Sequence, residues 1–196
     1  MDLLIATENE HKVTELSSIF EGHDLSTPSR EGIEYFFEET ENTFLGNARG
    51  KAFALLEKSD RPVIADDSGL VVPALKGEPG VYSARYGSTE KGRKLATPER
   101  NRYLLEKMKG ITDRRAFFVC CMVLAVSKER FFVSQETLAG EIIGDPRGEY
   151  GFGYDPLFFL PGYGKTVAEL PEEEKNRISH RGVAGIRIMA ILNSMR

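Results

Sequence analysis

Four stretches of this sequence place side chains where they serve a fold poorly and a ligand well. Thr7-Glu8-Asn9-Glu10-His11-Lys12 follows a short apolar run and opens a helical pattern, so it marks a strand-to-helix junction. A helix N-terminus offers unpaired N–H groups and partial positive charge, which suits a phosphate. Lys12 in the first turn opposes that dipole, and a bound anion would account for it. The glycines and Lys-Ser/Thr pair of a Walker A loop are absent. An ordinary N-cap with a solvent-facing lysine is the competing reading. The second stretch, Asp66-Asp67-Ser68-Gly69, ends an apolar strand. Adjacent carboxylates repel, resist burial and so demand a cation. All-oxygen ligands favour magnesium or calcium over zinc, with Glu38 and Glu39 as candidates to complete the set. Against this stands a polar turn whose aspartates cap backbone N–H groups.

The third stretch is Gly151-Phe152-Gly153-Tyr154-Asp155-Pro156. An aromatic ring among glycines can present its face to a nucleobase, and Asp155 can accept from a base N–H. A tight turn with both rings folded into the core is the alternative. The fourth is Lys175-Asn176-Arg177-Ile178-Ser179-His180-Arg181, which sets His180 and Arg181 in the first turn of the last helix. Cations are misplaced there unless they serve an anion or a carbonyl, to which arginine presents a rigid donor fork. A solvated basic run balancing Glu172-Glu173-Glu174 competes with that reading. His11 and His23 have no partner at metal-ligand spacing, and neither H-E-x-x-H nor G-x-S-x-G occurs. Together the four stretches describe one ligand, a nucleoside polyphosphate with its hard metal ion.

The elements that must position these groups are legible in the hydrophobic periodicity. Asp2–Ala6 reads as a buried strand, and Val13, Leu16, Ile19 and Phe20 line one side of a helix that Asn9 caps. A second helix starts near Asn42 or Thr43 and runs to about Lys58, with Phe44, Leu45, Ala48, Ala52, Leu55 and Leu56 in phase. Pro62–Ala65 reads as a strand cut by the Asp66–Gly69 turn and resumed at Leu70–Val72. Thr97-Pro98-Glu99 opens a helix that ends by Gly110, with Thr97 as cap. Ala116–Val126 is an apolar strand covered on both faces, and Phe131–Ile143 is its antiparallel partner across a Ser127–Arg130 turn. Seven of the 19 glycines fall between Gly140 and Gly164, which marks a shaped loop. A last helix starts at Ser179. Alternating strands and helices with one hairpin predict an α/β domain with a mixed sheet, a single domain over residues 1–196.

Composition narrows the setting. Thirty acids against 26 Lys and Arg, a net charge of −4, argue against nucleic-acid binding driven by bulk charge. Cys120 and Cys121 are adjacent, point to opposite faces of a strand, and make a poor disulfide. Two thiols suit a reducing compartment. With no basic leader and no apolar run near the ~20 residues of a membrane span, the expectation is a soluble cytoplasmic protein without membrane contact.

The sequence also resembles the inosine triphosphate pyrophosphatase family, which hydrolyses non-standard purine nucleoside triphosphates. The matching motifs are T-E-N-E-H-K at Thr7–Lys12, E-E-T-E-N-T-F-L-G-N-A at Glu38–Ala48, A-D-D-S-G-L at Ala65–Leu70, G-E-P-G-V-Y-S-A-R-Y at Gly77–Tyr86, G-F-G-Y-D-P at Gly151–Pro156 and E-K-N-R-I-S-H-R at Glu174–Arg181. They run in the family's order over nearly the whole chain. The resemblance implies two α/β lobes around a long mixed sheet, a nucleotide in the cleft between them, a homodimer, and a magnesium-dependent cleavage of ITP, dITP and XTP to monophosphate and pyrophosphate. It implies that Thr7, Asn9, Lys12 and Lys51 bind the phosphates, with Glu8, Glu10 and His11 in the same loop. Glu39 (or Glu38) and Asp67 would hold magnesium, Asp67 would activate water with Asp66 in support, and Ser68 would touch substrate. Phe152 would stack on the purine, Gly153, Tyr154 and Asp155 would shape the base pocket, and Lys175, His180 and Arg181 would complete it, the last two near the 6-oxo group. Glu8 departs from the small residue many relatives carry, and it would weaken phosphate binding unless its side chain points outward. Two other readings remain at this point: a Maf-like pyrophosphatase of different specificity, and a non-enzymatic nucleotide-binding dimer.

Overall fold

The computed structural model describes residues 1–195. In chain order it forms β1 (Asp2–Ile5), α1 (Glu10–Ile19), β2 (Asp24–Ser26), α2 (Phe44–Leu56), β3 (Val63–Val71) and α3 (Thr97–Lys107). There follow β4 (Arg115–Ala125), β5 (Phe131–Ile142), β6 (Phe158–Leu160), β7 (Lys165–Thr166), α4 (Glu172–Ile178) and α5 (His180–Ser194). The strands make one seven-stranded mixed sheet in the order β2-β1-β3-β4-β5-β6-β7. β1 pairs in parallel with β2 and β3, whereas β5, β6 and β7 pair antiparallel. The expected hairpin joins β4 to β5: Val126 N donates to Arg130 O at 3.0 Å beside the turn, and Ile142 N to Arg114 O at 2.8 Å at the far end, in one antiparallel register.

The chain divides into two compact units, one of Met1–Ser68, Cys120–Glu136 and the segment from Ser179 onward, the other of Gly69–Val119 and Thr137–Ile178. In the first unit the two-residue period of the strands sorts the core into two layers. Leu3, Ile5, Ile64, Cys120, Met122 and Leu124 pack with Leu16, Ile19 and Phe20 of the α1 region and Ala184, Ile188 and Leu192 of α5. Leu4, Ala6, Val63, Ala65, Cys121, Val123 and Ala125 pack with Ala48, Ala52 and Leu55 of α2. Each such leucine or isoleucine contributes about 1.5–3 kcal/mol on leaving water. Gly185 allows α5 close to α1, since a Cβ there would meet Ile19 Cγ2 at 2.7 Å. Cys120 and Cys121 fall in different layers as buried free thiols. The second unit has its own core, in which Phe118 stacks on Phe158 with centroids 4.2 Å apart and Tyr86 meets Tyr103 edge-on.

Three expectations need correction. β3 is not cut at Asp66; it runs unbroken from Val63 to Val71 through Asp66-Asp67-Ser68-Gly69. The cap of α3 is Ala96 rather than Thr97, because the Glu99 carboxylate accepts from Ala96 N at 2.9 Å and so supplies the capping bond from inside the helix. The strands β2, β6 and β7 and the short helix α4 were not foreseen; with two to seven residues each they carry too little periodicity to register. Among the described residues, no helix is long and apolar enough to cross a membrane.

Candidate active site

Since β3 continues through the acidic pair, strand alternation sends its two carboxylates to opposite faces of the sheet. Asp66 follows Ile64 onto the α1/α5 face, and Asp67 follows Val63 and Ala65 onto the α2 face. Both are buried, at 1% and 5% exposure. A buried carboxylate needs compensation, and each aspartate obtains a different kind.

Asp66 sits among cations. Its Oδ2 accepts from Lys12 Nζ at 2.9 Å, from Arg181 Nε at 3.2 Å and Nη2 at 3.3 Å, and from Ser68 Oγ at 3.2 Å. Arg181 donates further to Glu15 Oε2 at 2.7 Å and Ser68 Oγ at 2.6 Å. Burial alone would raise the Asp66 pKa, but Lys12, Arg181 and Lys51 outweigh it and hold the carboxyl well below its ordinary range. Its Oδ1 is buried and has no hydrogen-bond partner among the described residues.

Asp67 is held differently. Asn47, fully buried on α2, donates from Nδ2 to Asp67 Oδ2 at 3.0 Å, and Lys51 Nζ lies 3.4 Å from Asp67 Oδ1. Here burial wins: with the Glu39 charge nearby, it pushes the Asp67 carboxyl above its usual value despite Lys51 and Asn47. Asn47 and Lys51 interrupt the apolar face of Phe44, Ala48 and Leu55, four residues apart from one another, which is where the sequence could have betrayed them.

Glu39 arrives on an extended segment laid against α2. Burial alternates from Ile33 to Thr40, so Glu39 turns inward and Glu38 outward to solvent. Tyr35 Oη donates to Lys51 O at 3.1 Å, and Glu39 Oε1 accepts from Lys51 Nζ at 2.7 Å. The Phe37 ring fills the space over Gly50, where a Cβ would come within 2.3 Å of Cζ. Asn47 clamps the segment's end, accepting from Glu41 N at 3.1 Å and donating to Glu41 O at 3.3 Å. Two carboxylates, Glu39 and Asp67, thus meet at one ammonium. No group of three His, Cys, Asp or Glu side chains among the described residues is arranged to hold a metal. Two oxygen donors suit a hard cation that completes its shell with phosphate oxygens and water.

At the strand-to-helix junction Asn9 caps α1 as expected, its Oδ1 accepting from His11 N at 3.1 Å, and Thr7 Oγ1 accepts from Asn9 N at 3.2 Å. Lys12 is accounted for by Asp66. Glu10 and His11 are exposed in the first turn of α1. Glu8 is turned aside: its carboxylate accepts from Ser29 N at 3.2 Å and Ser29 Oγ at 2.7 Å. Two groups that sequence reasoning missed are Glu15 and Asn47. Glu15 lies on the same α1 face as Lys12, Leu16 and Ile19, a charge inside an apolar stripe.

In the second unit the glycine-rich loop closes on itself. Asp155 Oδ2 accepts from Phe152 N at 2.9 Å and from Lys175 Nζ at 2.8 Å, and the Lys175 ammonium lies 4.9 Å from the Phe152 ring centre. Gly151 has φ +71° and Gly153 φ +66°, which a side chain would strain, and a Cβ on Gly151 would meet Asp155 Oδ2 at 2.2 Å. Phe152 is half-buried, whereas Tyr154 folds into the core and donates to Ser83 O at 3.0 Å. His180 and Arg181 occupy the first turn of α5 beyond the Ser179 cap, both buried. The resemblance assigned Arg181 to the purine 6-oxo group, yet its guanidinium is engaged by Asp66, Ser68 and Glu15.

The chain is similar to known proteins along its whole length. It is 47% identical over 184 residues to the dITP/XTP pyrophosphatase of Treponema denticola, covering 94% of each chain. It is 43% identical to the dITP/XTP pyrophosphatase of Nitrosomonas europaea, covering 97% of this chain and 94% of that one. Among solved structures, the Staphylococcus aureus Ham1 protein matches with a TM-score of 0.88 at 39% identity over 100% of both chains, and a HAM1 protein from Coxiella burnetii with 0.88 at 34% identity over 99% of both. The Ham1 family model matches residues 3–190, and the chain belongs to the Ham1 family.

Proposed function

We propose that this protein is a nucleoside triphosphate pyrophosphatase that converts ITP, dITP and XTP to the monophosphate and pyrophosphate, acting with magnesium, as a homodimer, in the cytoplasm. The observation that carries the reading is the buried Asp66–Asp67 pair, split by the strand into one carboxylate saturated with cations and one with a raised pKa. Asp67 is the base. A carboxylate with its basicity raised by burial, held by Asn47, can take a proton from water attacking the α-phosphorus. Asp66 fixes Lys12 and Arg181 behind it. Glu39 and Asp67 hold magnesium, which when bound neutralises charge on the departing pyrophosphate.

Lys12, Lys51, Thr7, Asn9 and the first N–H groups of α1 receive the phosphates, and the Glu8–Ser29 contact keeps a carboxylate from repelling them. Ser68 lies beside Asp66 to meet substrate. Phe152 supplies the face on which a purine stacks, and Gly153, Asp155 and Lys175 frame it. A donor aimed at a 6-oxo group pairs with hypoxanthine and xanthine and opposes the amino group of adenine.

The test is an assay of the purified protein with magnesium on ITP, XTP, dTTP, ATP and GTP, scoring pyrophosphate against orthophosphate. Pyrophosphate released from ITP and XTP in preference to ATP is expected. Orthophosphate release, or equal rates on ATP and ITP, overturns the proposal. Asp67→Asn should cut turnover by about 10²–10⁴-fold while nucleotide binding persists.

A further inference from the structure

The Gly77–Tyr86 motif and helix α3 have no part in the chemistry above, yet both hold the glycine-rich loop from behind. Asn101 on α3 is 7% exposed and donates from Nδ2 to Gly153 O at 3.1 Å. Ser83 accepts the Tyr154 hydroxyl on its backbone oxygen at 3.0 Å. The Ser83 side chain is itself fixed: its Oγ donates to Gly80 O at 2.6 Å and accepts from Leu70 N at 2.8 Å. Close approach is built in, since a Cβ on Gly69 would lie 2.4 Å from both Gly80 O and Ser83 Oγ.

The loop therefore has an internal lock, and beside the Lys175–Asp155 pair that ties it to α4 it has two further external anchors. The lock is Asp155 on Phe152 N, which sets the loop's shape. The anchors set the position, Asn101 at the carbonyl of Gly153, the φ +66° residue that follows Phe152, and Ser83 at the next residue, Tyr154. We propose that Asn101 and Ser83 are positioning residues for base recognition, fixing where Phe152 and Asp155 meet a purine. This rests on the reading of that loop as the base-recognition element. Asn101 can anchor in one amide orientation alone. Its Oδ1 has no hydrogen-bond partner among the described residues, and a flipped amide would set that oxygen against the Gly153 carbonyl.

The experiment compares the full-length protein with Asn101→Ala, Asn101→Asp, Ser83→Ala and Tyr154→Phe. Three quantities are read: KM for ITP, the inhibition constant of IMP (base and one phosphate), and that of inorganic tripolyphosphate (phosphates alone). Near-UV circular dichroism checks the fold, and Tyr154→Phe keeps the packed ring while removing the hydroxyl alone. Expected for Asn101→Ala and Tyr154→Phe is a rise of about tenfold in KM and in the IMP constant, the consequence of one lost buried hydrogen bond, with tripolyphosphate inhibition unchanged; Ser83→Ala keeps the backbone acceptor but frees the segment that carries it, and should raise the same two constants. Asn101→Asp should be at least as harmful as Asn101→Ala, since its oxygen faces an oxygen.

An isosteric Asn101→Asp that behaves as wild type would reduce Asn101 to packing and overturn the proposal. Equal weakening of IMP and tripolyphosphate would do the same, by showing general damage. Failure of the unaltered protein to cleave ITP would instead strike the functional reading, while the binding comparison still judges the anchors.

Discussion

The adjacent aspartates should respond in opposite directions to the same substitution. Asp66→Asn removes the charge that Lys12 and Arg181 are buried against, at 2.9 Å and 3.2 Å, with side-chain exposures of 13% for Lys12 and 3% for Arg181. Removing one partner of a buried pair costs about 3–5 kcal/mol, because the remaining charge keeps its desolvation penalty. Asp67→Asn removes a charge whose ionised form burial already disfavours. An amide there can still accept from Asn47, and Lys51 keeps Glu39 at 2.7 Å, so the variant should match the wild type or exceed it by up to about 1 kcal/mol.

The pH dependence separates the two cases. The folded pKa of Asp66 is depressed, so its contribution is complete above the ordinary 3.8 and is lost as pH falls below that toward the folded value. The folded pKa of Asp67 is raised, so its ionisation begins to cost stability as pH climbs above 3.8, and the cost is complete once the folded value is passed. Urea unfolding at neutral pH, repeated down to about pH 3, measures both. The wild type should lead Asp66→Asn at neutrality, and that lead should begin to narrow below pH 3.8. Equal destabilisation by the two substitutions would refute the division of labour.

Two further outcomes follow from the same geometry. In the metal-free protein the Asp67 carboxyl should titrate above the ordinary 3.8 by carboxyl-carbon NMR, and Glu39→Gln should move it down, since the Glu39 charge helps push Asp67 up; a titration that stays put would remove Glu39 as a cause of the shift. Gly50→Ala should cost about 1–3 kcal/mol in chemical denaturation, because its Cβ would lie 2.3 Å from Phe37 Cζ, and Phe37→Leu should restore part of the loss; full tolerance would show that the Ile33–Thr40 segment is not seated as described.

Much of this was legible in the sequence, and the failures share a cause. The Asn9 cap, the starts of α2 near Asn42 or Thr43 and of α5 at Ser179, and the β4–β5 hairpin rest on local chemistry, which a sequence displays directly; the structure makes Thr43 and Ser179 the caps. Asp66-Asp67-Ser68-Gly69 reads as a turn by every local criterion, since Asp, Ser and Gly favour turns. It is a strand because Lys12, Arg181, Asn47 and Lys51 compensate the acids, and because Gly69 is needed for the approach of Gly80 and Ser83. Those partners lie from 11 to 115 positions away, and no propensity reports on them. The choice between Glu38 and Glu39 was similarly open until the two-residue alternation of the segment was seen against α2.

That misreading bears on the chemistry. In a turn the two carboxylates would share one solvated space and one electrostatic environment. In a covered strand they are separated by the backbone itself, and the covering helices differ in what they offer. The α1/α5 face brings Lys12 and Arg181, enough cation to keep Asp66 ionised under any working condition. The α2 face brings one lysine already shared with Glu39, so the carboxylate there stays basic and close to a second oxygen donor. Strand alternation thus lets two identical residues, one peptide bond apart, differ in their readiness to take a proton. The acid that organises the site need not be the acid that reacts.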